Sequence, residues 1–152
     1  MKIKTKFYNE LEITDEDVLF FPQGLPGFPD CKRFVYLHEE QAFFGCLQSC
    51  DSPETAFVVM SPFTVCPEYQ IDLEEAVTAE LQLTTADDAL LLAIVTIPPG
   101  RPQEATVNLQ APLVINTARR RGAQVIIADG GYPLRFPLWK EEEASRVAEG
   151  EK

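Results

Sequence analysis

The sequence predicts a mainly β fold: a small closed or partly open antiparallel β-barrel-like domain with one short helix. The chain has 12 prolines and 8 glycines in 152 residues, which implies many turns between short elements. Apolar and polar residues alternate in several short segments, as they do in half-buried strands. These segments amount to about nine to eleven short strands, a number typical of sandwiches and barrels.

The N-terminal part is predicted to hold strands around one shaped loop. KIKTKF and NELEI alternate strictly and are separated near Tyr8 and Asn9, which predicts two short strands joined early. Three prolines and two glycines fall within residues 22–29, and this density excludes a helix. Further strands are predicted at 34–37, 43–48 and 56–60.

The middle of the chain is predicted to hold the helix and the most buried strand. Residues 69–72 continue the extended pattern. From 73 to 81, apolar residues then recur at helical spacing with glutamates on the other side, which predicts a helix. The run LLLAIVTI, residues 90–97, is apolar enough for a central strand buried on both faces. Residues 98–104, PPGRPQE, are predicted to form a loop.

The stretch TVNLQAPLVIN, residues 106–116, has a strand pattern that a proline interrupts. Its apolar residues alternate, yet Pro112 lies among them. Proline cannot donate to a ladder and is confined to edges, strand starts and bulges. We therefore predict strands at 107–109 and 113–115 with an edge or bend between them.

The C-terminal part is predicted to contain the last strands and a tail. ARRRGAQVIIAD begins with a basic turn that ends at Gly122, followed by a strand over 124–128, and the two glycines at 130 and 131 precede YPLRFPL. We expect a single domain over 1–138. The tail, 139–152, is charged and poor in bulky apolar residues, so we expect it to be helical or frayed.

The charge balance bears on the kind of partner. The formal net charge is −11, from 24 acidic and 13 basic side chains. Nucleic acid and anionic membranes are disfavoured, because phosphate contacts come from lysine and arginine. An acidic surface instead attracts basic proteins. The N-terminus alternates in polarity and the longest apolar run, 89–95, is too short to span a bilayer, so we expect a cytoplasmic protein.

The sequence offers little material for catalysis or metal binding. The four cysteines lack the C-x2-C spacing of zinc sites and are expected to be reduced, buried and apolar in behaviour. The single histidine, His38, precedes two glutamates and is expected on a solvated turn rather than paired with Cys31. Acidic pairs such as Asp15 and Asp17 are expected to be solvated. The arginines at 119–121 could hold a flavin phosphate, so a small β-barrel cofactor enzyme stays open as the alternative function.

Several motifs, taken together, resemble one protein family. They are FPQGLPGF (21–28), LQS (47–49), AFVV (56–59), LAIVTI (92–97), TVNLQAPLVIN (106–116), GAQVI (122–126) and YPLRFPL (132–138). In this order and spacing they resemble the FliW family of flagellar assembly factors, up to about Leu138. The chain departs from the family at Gln110, where a second leucine is common, and at Phe136, where histidine is frequent.

The resemblance implies a non-enzymatic binding protein without a cofactor. FliW proteins bind CsrA, a basic RNA-binding dimer, and relieve its repression of flagellin mRNA. They alternately bind flagellin itself. We therefore expect CsrA and flagellin as the partners of this chain, with no direct contact to nucleic acid.

The proline-rich loop supplies the first candidate for partner binding. Phe21, Leu25 and Phe28 are large apolar side chains on or beside the loop. A preordered loop that exposes them would lose little entropy on binding an amphipathic helix. The alternative is that they plug one end of the barrel.

Acidic residues around the helix start supply the second candidate. Glu68, Asp72, Glu74 and Glu75 lie at or just before the predicted helix. They are candidates for electrostatic contact with CsrA. The alternative is local, because carboxylates in the first turn of a helix favour its dipole.

The interrupted strand supplies the third candidate. If it lies at an edge, Asn108, Ala111, Pro112 and Asn116 would present unpaired groups to another chain. The alternative is that the two asparagines satisfy backbone groups within a tight bend.

Overall fold

The computed structural model describes residues 1–25, 27–38, 42–85, 88–127 and 131–139. Its strands are β1 Lys2–Ile3, β2 Leu11–Glu12, β3 Val18–Phe20, β4 Arg33–Leu37, β5 Gly45–Ser49, β6 Ala56–Met60, β7 Ala89–Thr96, β8 Thr106–Val107, β9 Leu113–Asn116, β10 Arg121–Gln124 and β11 Phe136–Pro137. The helices are α1 Pro62–Val65 and α2 Glu75–Glu80, with 3-10 turns at Asp15–Asp17 and Pro102–Glu104.

Seven of these strands close into a barrel, which confirms the predicted fold class. Neighbouring strands run in the order β3, β4, β5, β6, β7, β9, β10, and β10 pairs with β3 to close the ring. The other six pairs of the ring are antiparallel, but this closing pair is parallel. The prediction of a wholly antiparallel barrel was wrong at this one pair. β8 and β11 extend the sheet beside β7, and β1 pairs with β2 separately.

The barrel has one apolar core inside and two apolar clusters outside, the smaller of which holds Ile3, Ile13 and Val35. β7 contributes to the inner core and to the larger outer one. Leu92 belongs to the inner core, whereas Ala93 and Val95 belong to the outer one. This division follows from the alternation of side chains across a strand. It confirms the predicted burial on both faces for residues 90–95 of the LLLAIVTI run, whereas Thr96 and Ile97 at its end are exposed.

The short helices only partly match the prediction. α2 confirms the helix predicted over 73–81, although it begins at Glu75. The single-helix prediction missed α1, where Ser61 accepts a hydrogen bond from the Phe63 amide and Pro62 occupies the first turn, a known start signal. Among the described residues, no helix has the length and apolar character needed to cross a membrane.

Some predicted strand bounds were wrong. Residues 69–72 form no strand, and β3 was not predicted. β10 begins at Arg121, inside the predicted basic turn. The end of the predicted 124–128 strand, part of the glycine turn and the tail from residue 140 lie outside the described residues.

The interrupted stretch forms a bulge between paired strands. Val95 pairs with Val107, and Leu92 pairs with Leu113. Two residues that are three apart on β7 therefore face two residues that are six apart in the chain, and the extra residues between β8 and β9 form the bulge. The predicted bend is confirmed, but the predicted edge is wrong. β8 is flanked by β7 and β11, and β9 by β7 and β10.

Candidate protein-interaction surface

An anchoring tyrosine fixes the segment that precedes α2. Tyr69 is buried, and its hydroxyl donates to the carbonyl of Leu109 in the bulge at 2.7 Å. Its ring lies 4.5 Å from that of Tyr132, whose hydroxyl accepts the amide of Gln70 at 3.0 Å. The segment is therefore held against the barrel at its centre.

Four exposed carboxylates lie along this segment and the start of α2. Glu68, Asp72, Glu74 and Glu75 are all exposed. Among the described residues, none of them forms a salt bridge. Glu74 occupies the N-cap position, yet its side chain makes no capping hydrogen bond. The structure thus places the predicted acidic set together, and we call these four residues the acidic segment.

The ionisation of Tyr69 gives a test of this anchor. Burial raises the pKa of Tyr69 to about 12, compared with about 10 for an exposed tyrosine. A raised pKa favours the folded state fully below about pH 10, and this contribution is lost as pH rises towards 12. We expect Tyr69→Phe to remove that part of the pH dependence and to cost about 1 kcal/mol at neutral pH through the lost hydrogen bond.

Urea unfolding of both proteins between pH 8 and 12 would measure this difference. A Tyr8→Phe variant is the matched control, because Tyr8 is 40% exposed. If Tyr69→Phe and the parent lost the same stability between pH 10 and 12, the raised pKa of Tyr69 and the burial of its hydroxyl would be refuted.

The expectation for the proline-rich loop was wrong for two of its three apolar residues. Phe21 and Leu25 are 0% and 2% exposed, because they fill the inner core. Phe28 is 40% exposed and packs its ring edge-on to Phe57 at 5.5 Å. Only Phe28 is therefore presented at the surface.

A glycine allows the loop to fold its apolar residues inward. Gly24 has a φ of 64°, a conformation that favours glycine. A Cβ there would lie 2.6 Å from the carbonyl oxygen of Pro29. The chain thus doubles back tightly, and Leu25 and Phe28 form a β-bridge.

The expectation that the interrupted stretch projects unpaired groups was also wrong. Asn108 accepts the amides of Gln110 and Ala111 through Oδ1, at 3.1 and 2.9 Å. This contact builds the turn of the bulge. Ala111 and Pro112 are buried within it.

Asn116 likewise has a structural role. It is 4% exposed, and its Nδ2 donates to the carbonyls of Leu81 and Gln82 at 2.9 and 3.1 Å. Its Oδ1 accepts the amide of Arg119 at 3.2 Å. The side chain therefore caps the C-terminal end of α2, which satisfies carbonyls that the helix leaves open.

An aromatic patch escaped the sequence analysis. Phe43 is 47% exposed and stacks on Trp139, with ring centroids 5.8 Å apart and planes 9° apart. The two rings border a cavity of about 530 Å³ that Val65, Pro67 and Leu138 also line. The paired phenylalanines at 43 and 44 and the lone tryptophan were the available signals, but they lie far apart in the chain.

The described residues hold little that resembles a reactive centre. Among them, no group of three or more histidine, cysteine or carboxylate residues could hold a metal ion. The four cysteines are free thiols, and burial raises the pKa values of Cys46, Cys50 and Cys66. Raised thiol pKa values disfavour the reactive thiolate.

The arginines at 119–121 have structural contacts. Arg120 donates to the carbonyl of Asp15 at 2.8 Å, and Arg121 to that of Glu80 at 3.3 Å. They line a shallow cavity of about 310 Å³ together with Arg33. The Arg33 guanidinium is bound to Asp51, whose hydrogen bond raises the pKa of Arg33.

Comparison with known proteins identifies the family. The model of the FliW protein family matches residues 2–138. The chain belongs to the FliW family. The FliW match covers the whole barrel, the bulge and the acidic segment, which agrees with the family predicted from the motifs.

Individual FliW proteins align along nearly the full chain. Flagellar assembly factor FliW of Caldicellulosiruptor bescii is 39% identical over 138 residues, which are 91% of this chain and 90% of that protein. Flagellar assembly factor FliW of Geobacillus thermodenitrificans is 41% identical over 145 residues, 95% of this chain and 99% of its own length. A crystal structure of the flagellar assembly factor FliW matches with a TM-score of 0.87 and 39% identity, covering 93% of this chain and 99% of that one.

Proposed function

We propose that this chain is a non-enzymatic flagellar assembly factor that binds CsrA and alternately binds flagellin. Bound to CsrA, it relieves the repression of flagellin mRNA. Bound to flagellin, it leaves CsrA active, so that export of flagellin frees the chain to capture CsrA. The observation that carries this proposal is the acidic segment, which is exposed and has no cation partner among the described residues.

Electrostatic complementarity supports CsrA as a partner. CsrA is basic and this chain carries a net charge of −11. Opposite charges steer encounter and raise association rate constants from about 10⁵–10⁶ to as much as 10⁸–10⁹ M⁻¹s⁻¹ at low salt. Because Tyr69 holds the segment against the bulge, its carboxylates would approach a partner from a fixed backbone, which limits the entropy lost on binding.

Exposed aromatic side chains support a second, more apolar partner. Phe43 and Phe63 are 47% and 45% exposed and line one cavity of about 320 Å³, and exposed apolar surface gathered in one place commonly marks an interaction site. Phe28 is 40% exposed and packs beside Phe57. Flagellin, as the alternate partner, would use such contacts. Phe28 therefore remains a candidate for partner binding, whereas Phe21 and Leu25 are accessible only through rearrangement of the core.

The alternative, a small β-barrel enzyme with a flavin, has weaker support. Its phosphate would need the arginines at 119–121, yet two of them donate to backbone carbonyls. An absorbance spectrum of the purified protein between 350 and 500 nm decides between the two functions. A flavin band would favour the enzyme.

Charge reversal in the acidic segment tests the proposed function. For Glu74→Lys/Glu75→Lys we expect the association rate constant with CsrA to fall about tenfold or more at low salt, because attraction becomes repulsion. The difference between the rate constants of the variant and the parent should become smaller near 1 M salt, where the screening length is about 3 Å. Stopped-flow or surface-based kinetics at several salt concentrations would measure it.

A second double variant separates local contact from net charge. Glu10→Lys/Glu54→Lys changes the net charge equally at two exposed residues that lie outside the helices and strands. We expect it to slow association far less. If both variants slowed association equally, the effect would come from net charge and not from local contact. If Glu74→Lys/Glu75→Lys did not slow association, Glu74 and Glu75 would be excluded from the interface.

A further inference from the structure

Strand β10 loses its neighbour on the β3 side after a single residue pair. Arg121 pairs with Phe20, whose amide donates to the carbonyl of Arg120 at 2.8 Å. In a parallel ladder every second residue donates to the neighbouring strand. The next donor would therefore be residue 22, which is proline and has no amide hydrogen. Pairing with β3 stops at this point.

Among the described residues, the backbone that continues from β10 is consequently paired on one side only. The amides of Val125 and Ile127 donate to carbonyls of the bulge at 3.0 and 2.7 Å. Successive residues of a strand direct their backbone groups to opposite sides, so those of Gln124 and Ile126 point away from the bulge. Within the described part of the chain, the amide and carbonyl groups of Gln124 and Ile126 have no hydrogen-bond partner.

An open groove of about 470 Å³ lies beside this free edge. It is lined by residues 123–126, by residues 23–25, 27 and 29 of the proline-rich loop, and by Val77 and Glu80 of α2. Ile126 is 70% exposed, the highest value among the exposed large apolar residues of the described chain. The groove thus combines backbone groups without a partner in the described residues, an exposed apolar side chain and one carboxylate. That carboxylate, of Glu80, accepts a long hydrogen bond from Gln23 at 3.4 Å, which a cationic side chain of a partner would replace.

We propose that this groove receives an extended segment of a protein partner, which adds a strand along Gln124–Ile126. Backbone hydrogen bonds to a free strand edge give affinity, and alternate side chains give specificity. The segment would place an apolar residue against Ile126 and a lysine or arginine towards Glu80. A second copy of this chain fits less well, because it would bring its own loop and helix into the same space.

Amide hydrogen exchange by NMR on the full chain provides the test. This inference rests on the proposed function only in taking CsrA and flagellin as first partners. In the free chain we expect rapid exchange at Gln124 and Ile126 and slow exchange at Val125 and Ile127. On addition of CsrA or flagellin, exchange at Gln124 and Ile126 should slow at least tenfold for one of the two partners.

A proline variant removes the donor without disturbing the barrel. Ile126→Pro deletes an amide hydrogen that has no partner among the described residues, so stability should change little. The affinity for the partner that protects Gln124 and Ile126 should fall about three- to tenfold. Val125→Pro is the matched control, since it deletes an amide bonded to Pro112 and should destabilise the fold. If Ile126→Pro failed to fold, Ile126→Ser would replace it, because this change removes the exposed apolar side chain and keeps the amide. Its control is Ile97→Ser at another exposed isoleucine, which is 41% exposed in the parent; only Ile126→Ser should weaken binding.

The outcomes separate this inference from the proposed function. Binding of a partner with unchanged exchange at Gln124 and Ile126 would overturn the groove and leave the function standing. If neither partner bound, the capped peptide acetyl-Lys-Val-Thr-Val-Lys-Val-amide would be added at millimolar concentration. Changes in NMR chemical shift confined to residues 123–127 would support the groove, and the absence of any change would overturn it. Protection that rises with concentration of the chain alone would assign the edge to a second copy and overturn the proposal.

Discussion

Replacement of Phe21 by alanine is expected to lower the free energy of unfolding by about 3–5 kcal/mol, as for other buried phenylalanines. Phe21 is 0% exposed, and its ring packs edge-on to Phe34 at 5.4 Å. It also lies directly over Gly122, where a Cβ would come within 2.6 Å of the ring. Removing the ring would open a cavity between β3, β4 and β10 that rigid backbone cannot fill.

Phe28→Ala is the matched control for this prediction. Phe28 belongs to the same loop but is 40% exposed, so its loss should cost about 1 kcal/mol, mostly from contact with Phe57. Urea unfolding would show the difference as a shift in midpoint at similar slope. Equal, small losses for both variants would mean that Phe21 lies outside the core. A selective loss of partner binding in Phe28→Ala would keep Phe28 as a contact residue.

Replacement of Asn116 by alanine is expected to cost about 2–4 kcal/mol. The change leaves the carbonyls of Leu81 and Gln82 and the amide of Arg119 without their partner. Each buried polar group left unsatisfied costs about 1–3 kcal/mol, and part of this is recovered where water reaches the site. The end of α2 should loosen with it, because the asparagine is what joins that helix to β9.

The exposed Asn9 provides the control for Asn116. Asn9→Ala should change stability by no more than about 0.5 kcal/mol, because Asn9 lies on the exposed N-terminal turn. Thermal unfolding of the two variants would measure the contrast, and exchange at the amides of α2 would locate it. A stable Asn116→Ala protein with weakened partner binding would restore the interpretation of Asn116 as a surface contact.

Much of the fold followed from local features of the sequence. Alternation and proline placement predicted the strands at 34–37 and 56–60, and β7 as a strand buried on both faces. Glutamates opposite apolar residues predicted α2. Charge composition predicted an acidic surface, and the motifs predicted the family. These features depend on residues that are neighbours in the chain, so the sequence alone was sufficient to identify them.

The tertiary structure decided which residues reach the surface. Phe21 and Phe28 are both phenylalanines of one loop, yet the tight turn at Gly24 buries the first and exposes the second. Asn116 caps α2 from 35 residues further along the chain. The segment at Ile126 has no second neighbouring strand among the described residues, because Pro22, about a hundred residues earlier, ends the pairing with β3. Burial and exposure at these positions depend on contacts between segments that are distant in the chain. Closure of the barrel, rather than the local sequence pattern, determines those contacts.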